Sequence, residues 1–330
     1  MTSAEDAARS GDVVRDPSGE ALAAARTVGP GVPVLAFDVG GTDIKSALFD
    51  ADGTALGLRR TPTPVADGDR TAVLIERLGE LAVQLQADHP DVIPRAAGLV
   101  VPGIVDADAG LGVFASNLGW KNSPLRDLAA ARLGLPVAFD HDVRAASWAE
   151  HRLGGARAYA NSVVLVIGTG IAGALLVGGE PYTAGGYAGE IGHSPIADGP
   201  VCPCGARGCL ETVASAGAIA RRYRDATGIA PDGAKDVIAR AAAGDPVASE
   251  IWDSALDALT LSLAQLTAVV APEAIVIGGG LSRAGGALFD ELRARLTARL
   301  SFHRIPALVP AELSGNAGIL GAALRARELA

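Results

Sequence analysis

The chain has 330 residues, 49% of them apolar and 20% charged, which is ordinary for a soluble globular protein and leaves room for two domains with separate cores. The formal charge is −9 and there is no basic run, so composition makes no electrostatic case for nucleic-acid binding. The three cysteines cannot pair completely, which favours a reducing cytoplasm over a secreted disulfide framework.

Residues 1–30 mix charges with Gly, Pro and Ala, lack the apolar core of a signal peptide, and are too short and irregular for a helix-turn-helix domain; a disordered tail is expected. The strand "VLAFD" (34–38) follows, then "VGGT", then the strand "IKSALFD" (44–50). Leu74, Leu78, Leu81 and Leu85 recur at helical spacing across 70–88, and "AAGLVV" (96–101) and "PVAFD" (136–140) read as further buried strands. These make one α/β domain, 31–141.

The second half, 142–314, repeats this grammar: "SVVLVI" (162–167), a glycine turn, then "AGALLV" (172–177). Residues 158–179 carry no charge and could span a bilayer by length, but two β-branched runs around a glycine turn read as a buried hairpin. A helix over about 245–270, the strand "EAIVIGGGL" (273–281) and a closing helix near 315–330 complete the chain. The repeated strand–glycine–Thr–strand opening suggests an internal duplication with ligand bound in an interdomain cleft.

In "DVGGT", Gly40, Gly41 and Thr42 form a turn that lets backbone N–H groups approach an anion, and Asp38 at the strand end suits Mg²⁺ or its water shell. A strand follows instead of a helix, so neither the Walker loop nor the dinucleotide fingerprint fits, and a plain β-turn is the alternative. The second turn, Gly168, Thr169 and Gly170, has the same setting, and Gly278, Gly279 and Gly280 follow a third apolar strand. Together they suit a phosphate clamp.

Asp142 falls where a strand gives way to a helix, so it is either an N-cap or a general base acting on a substrate hydroxyl. Asn117, Glu190, His193 and Glu211 offer an amide, two carboxylates and an imidazole, a set suited to paired sugar hydroxyls or to ordinary structural hydrogen bonds. The spacing His193-x₈-Cys202-x-Cys204-x₄-Cys209 supplies three thiols and one imidazole, a closed tetrahedral set for structural Zn²⁺. A disulfide within Cys-x-Cys would be a strained small ring and would leave one cysteine over.

Together, "DVGGT", "VPGIVD" (101–106), "SNLGW" (116–120), "GTG", "AGEIGH…CPCGARGCLE" and "IVIGGGL" resemble the ROK family of repressors and sugar kinases over about residues 33–328. The resemblance implies a two-domain actin-like (ribonuclease H-like) α/β ATPase fold, with the closing helix packed back on the first domain. It implies a cytoplasmic, homodimeric, ATP- and Mg²⁺-dependent kinase acting on the 6-hydroxyl of a hexose, with glucose expected. N-acetylmannosamine, N-acetylglucosamine and a non-catalytic sugar sensor are the alternatives. Asp142 takes the position of the catalytic base. Gly103, Asn117, His141, Glu190, His193 and Glu211 take sugar-side positions, and the three glycine turns take the nucleotide. His193 is shared with the zinc set of Cys202, Cys204 and Cys209. The family commonly has Asn-Asp followed by Asn where this chain has His141-Asp142 and Arg144, and its His–Cys interval is one residue longer. No nucleic-acid or membrane partner is implied.

Overall fold

The computed structural model describes residues 14–15, 27–65, 68–115, 118–196 and 198–330. The disordered tail expected at the N-terminus falls almost wholly outside them. The chain divides into two compact units, one running to Ala149 and resuming with Asn316–Ala330, the other Glu150–Gly315.

In the first unit the strands are β1 (Val14–Arg15), β2 (Val34–Val39), β3 (Asp43–Phe49) and β4 (Ala55–Pro62). Helix α1 (Arg70–Asp88) precedes β5 (Ala96–Val101), and three short strands follow, β6 (Ile104–Asp106), β7 (Leu111–Ala115) and β8 (Trp120–Ser123). Then come α2 (Leu125–Leu133), β9 (Val137–His141) and α3 (Asp142–Leu153). The large sheet has the order β1-β4-β3-β2-β5-β9, and β6-β7-β8 form a separate small sheet. β2 and β3 are an antiparallel hairpin, whereas β5 and β9 run parallel to β2 and β5. All six residues of β5 are buried, as expected of a parallel strand covered on both faces.

Leu74, Leu78, Leu81 and Leu85 of α1 are buried in one cluster with Leu35, Phe37 and Leu99. The leucine spacing therefore places one helix face on the sheet. The closing helix (Ala317–Arg327) packs through small residues: a Cβ on Gly98 would collide with the Ala322 carbonyl, and one on Gly321 with that of Ala145.

The second unit holds β10 (Ser162–Ile167), β11 (Ile171–Val177) and β12 (Glu180–Tyr182). Helices α4 (Leu210–Ala214), α5 (Ala216–Thr227), α6 (Gly233–Ala242) and α7 (Pro246–Val270) come next. β13 (Ala274–Gly278), α8 (Gly286–Arg299) and β14 (Ala307–Pro310) complete it, and the closing helix is α9. Its sheet runs β12-β11-β10-β13-β14, with β10–β11 an antiparallel hairpin and β13 parallel to β10. Each unit thus sets a glycine-turn hairpin beside a parallel strand. The charge-free run folds as the β10–β11 hairpin, and among the described residues no helix is long and apolar enough to cross a membrane. Asp245 starts α7 by accepting the Val247 and Ala248 amides at 2.9 and 3.1 Å, with Pro246 in the first turn.

Candidate functional site

In the first unit the β2–β3 hairpin closes through Gly40 and Thr42. The Gly40 amide donates to the Asp43 carbonyl at 2.8 Å, and the Thr63 hydroxyl and amide donate to the carbonyls of Gly40 and Thr42. Gly41 and Thr42 are exposed at the tip. Asp38 lies opposite Lys45 in the strand register, and Lys45 Nζ donates to its Oδ2 at 3.2 Å. Burial raises the Asp38 carboxyl above the ordinary carboxylate range; Lys45 opposes that shift and the charge of Asp142 adds to it. Asp38 and Asp142 are therefore close enough to repel, an arrangement of hard oxygen donors that a divalent cation such as Mg²⁺ would relieve. A Cβ on Gly318 in α9 would lie 2.6 Å from Asp38 Oδ2, so a glycine there makes room for the carboxylate. Lys45 and Gly318 were missed from sequence. Only the strand register pairs Lys45 with Asp38, and nothing local in α9 marks Gly318.

Asp142 is the first residue of α3. The Val143 amide is shared between His141 Nδ1 at 3.2 Å and Asp142 Oδ1 at 2.7 Å, so both side chains serve the first turn of the helix. His141 Nδ1 and Asp142 Oδ1 lie 3.3 Å apart, and about a quarter of the Asp142 side chain is solvent-accessible (27%). Arg144 is directed elsewhere: it is 3% exposed, with Nε on Asp140 Oδ1 at 2.7 Å and Nη2 on the Val105 carbonyl at 3.2 Å. Gly103 has φ +96°, and a Cβ there would collide with the Phe114 carbonyl of β7, so the turn into β6 itself requires glycine. Asn117 lies outside the described residues.

In the second unit, Gly168, Thr169 and Gly170 turn the chain between β10 and β11. The Gly168 amide donates to the Gly170 carbonyl at 2.9 Å, and α5 packs against the turn so closely that a Cβ on Gly217 would lie 2.6 Å from the Thr169 carbonyl. Gly278 pairs with Val166, and a Cβ on Gly279 (φ +81°) would collide with the Ile167 backbone. The turns at 168–170 and 278–280 therefore leave the same end of adjacent parallel strands. Glu211 joins them, since its Oε2 accepts the Ile171 amide at 2.9 Å. Glu190 is exposed and begins the 3₁₀ turn Ile191–His193, which lies against β11 through glycines: Cβ atoms on Gly189 and Gly192 would collide with the Gly173 and Ile171 carbonyls.

The four expected metal ligands converge. Their ligand atoms all lie within 4.8 Å of one another, with Cys202 Sγ 3.6 Å from His193 Nδ1 and Cys204 Sγ 3.7 Å from Cys209 Sγ. A tetrahedral ZnS₃N centre has edges of about 3.8 Å between sulfurs and about 3.6 Å from sulfur to nitrogen, from the usual bond lengths. The cysteines are not disulfide-bonded. Backbone bonds build the cage: the Cys202 amide donates to the Ala206 carbonyl at 2.8 Å, and the Leu210 amide to that of Ser194 at 3.0 Å. Without metal, burial and the hydrogen bonds that the Cys209 thiol donates toward Cys204 and Cys202 push it up to about 12, and burial also raises Cys202. Cys204 is lowered, first by the Ala206 amide. The donors and their spacing fit Zn²⁺, which would order this loop without an open coordination position.

A sequence model described as the ROK family matches residues 34–328. A glucokinase from Thermotoga maritima is 34% identical over 312 residues, covering 89% of this chain and 97% of that protein. An N-acetylmannosamine kinase from Escherichia coli is also 34% identical, over 300 residues covering 89% of this chain and 98% of its own. Among solved structures, a ROK family glucokinase from Streptomyces griseus in complex with glucose and AMPPNP superposes with a TM-score of 0.74 at 28% identity, covering 90% of this chain and 99% of that one.

Proposed function

Because the chain belongs to the ROK family and has its actin-like α/β fold, we propose that it is an ATP-dependent sugar kinase that phosphorylates the 6-hydroxyl of a hexose, with glucose as substrate. The observation that carries this reading is Asp142, a partly exposed carboxylate at the start of α3 in the same unit as the Asp38 turn. In the proposed reaction Asp142 accepts the proton of the sugar 6-hydroxyl as that oxygen attacks the γ-phosphorus and ADP leaves. Phosphoryl transfer needs positioning and charge neutralisation more than covalent chemistry. Mg²⁺, when bound, neutralises charge on the phosphates; Asp38 is the group that would hold it or its waters.

The amides of Gly40, Gly41 and Thr42, and those of Gly168, Thr169 and Gly170, would bind phosphate oxygens, with Gly278, Gly279 and Gly280 admitting the nucleoside. His141, Asn117, Glu190, His193 and Glu211 would orient sugar hydroxyls, beside Gly103. An imidazole that turns Nδ1 to the thiols keeps Nε2 for a second partner, so His193 can serve both metal and sugar.

A second reading, an N-acetylmannosamine or N-acetylglucosamine kinase, is favoured by the equal identity to an N-acetylmannosamine kinase and to a glucokinase. The test is a coupled ADP-release screen with Mg²⁺ and ATP over hexoses and N-acetylhexosamines. Turnover only with N-acetylhexosamines selects the second reading. Sugar binding without any turnover would leave a non-catalytic sensor. The active form is proposed to be a homodimer, which light scattering would check.

A further inference from the structure

Behind the start of α3 lies a buried ion pair, with partly exposed charges beyond it, that the proposed chemistry does not use. Asp140 and Arg144 are 5% and 3% exposed, and Arg144 Nε meets Asp140 Oδ1 at 2.7 Å. The same Oδ1 accepts the His141 amide at 2.7 Å, so one carboxylate oxygen is bound by the arginine and by the backbone immediately before Asp142. The other carboxylate oxygen faces Arg325 Nε of α9 at 3.6 Å. Arg325 in turn pairs with Glu328 at 2.9 Å and lies 5.0 Å over the Trp148 ring, and Trp148 Nε1 donates to Glu328 at 2.9 Å. Arg144 Nη2 reaches out of this cluster to the Val105 carbonyl of β6, two residues beyond Gly103.

We infer that Arg144 is a positioning residue for the base, tying the β9–α3 junction at Asp140–Asp142 to the β6 strand that follows the Gly103 turn. The inference rests on the proposed role of Asp142. A buried ion pair is weak evidence of stability, since well-packed apolar groups do as well, but a planar guanidinium with two fixed acceptors restricts orientation. Without it Asp140 Oδ1, which also accepts the His141 amide just before Asp142, is no longer held in place by the guanidinium. Ammonium in place of guanidinium keeps the charge beside Asp140 and gives up the second contact.

The test uses the full chain as Arg144→Lys and as the charge-free double variant Asp140→Asn/Arg144→Gln, which leaves no lone buried charge if the single variant folds poorly. For a sugar that the wild type phosphorylates, kcat should fall about tenfold or more while calorimetric sugar affinity stays within about threefold, because a misplaced base costs rate and not ground-state binding. Hydrogen exchange at the amides of residues 141–143 should accelerate in both variants while exchange across α1 stays unchanged. A general loss of structure would move both regions. The inference is overturned if folded variants keep wild-type kcat, or if exchange at 141–143 is unaltered. Should the wild type phosphorylate no sugar, the kinase reading fails on its own, and the exchange measurement alone decides whether Arg144 holds the turn.

Discussion

The Glu211 carboxylate occupies the space that a side chain at Gly170 would need: its Oε2 accepts the Ile171 amide at 2.9 Å, and a Cβ on Gly170 would collide with it. The glycine thus leaves room for a carboxylate two residues beyond the last cysteine. The end of the metal loop and the 168–170 turn are packed as one piece within their unit. In the other unit Gly318 makes room for Asp38 in the same way.

Gly170→Ala should therefore displace Glu211, costing about 1 kcal/mol of stability through loss of its hydrogen bond from the Ile171 amide and weakening sugar binding as well. Gly168→Ala is the control: its Cβ would meet nothing within 4 Å, so the fold should be unperturbed and only the KM for ATP should rise. Thermal unfolding with sugar and ATP titrations separates the two. Equal sugar affinity in both variants would refute the coupling.

Asp142→Asn keeps the size of the side chain and its contact with the Val143 amide while removing the proton acceptor. Turnover should fall by about 10²–10⁴-fold, the usual worth of general base catalysis, with sugar affinity largely retained. Steady-state kinetics beside calorimetry checks this, and undiminished kcat would remove Asp142 from the mechanism.

Asp38→Asn should trade activity for stability. The folded-state pKa of Asp38 is raised above the unfolded value, chiefly by burial, so its protonated form is favoured by folding. The ligand-free protein accordingly loses stability as pH rises from the ordinary carboxylate range through the raised pKa. Asparagine imitates the protonated form, so the variant should unfold at a higher temperature than the wild type at neutral pH and lose Mg²⁺–ATP-dependent turnover. A lower unfolding temperature at pH 7 would contradict the sign.

Metal analysis should find one Zn²⁺ per chain, held by His193, Cys202, Cys204 and Cys209. Because burial keeps Cys202 and Cys209 protonated without metal, uptake must expel protons and affinity should fall as pH falls. Stripping the metal with a chelator should abolish sugar binding before the chain as a whole unfolds, since the loop leads directly into Glu211. Normal sugar affinity in metal-free protein would refute that role.

Much of the architecture was legible in the chain. Fully apolar runs became the central parallel strands, the leucine spacing became α1, and the charge-free stretch became a hairpin, because burial pattern follows backbone period. The cluster of His193 and the three cysteines was legible because these residues lie close in sequence, and the interval from His193 to Cys202 is long enough to bring Nδ1 within 3.6 Å of the sulfur. The β6-β7-β8 sheet was not foreseen, since strands as short and polar as "WKNS" carry no period. The role of Arg144 was hidden for another reason. Beside Asp142 it reads as a replaced polar residue, yet its partners are Asp140, which also faces Arg325 near the C-terminus, and the Val105 carbonyl.

By itself the sequence determined the central apolar strands and the strongly periodic helices, the glycine turns between paired strands, and a donor set suited to zinc. All of these depend on residues a few positions apart and on the repeat of the backbone. Only the tertiary structure decided which groups share space: Glu211 against Gly170, Asp38 against Gly318, His141 beside Asp142 on the Val143 amide, and Arg144 turned inward to Asp140. Those contacts are set by how distant elements pack, where a single Cβ or one shared carboxylate oxygen decides the arrangement.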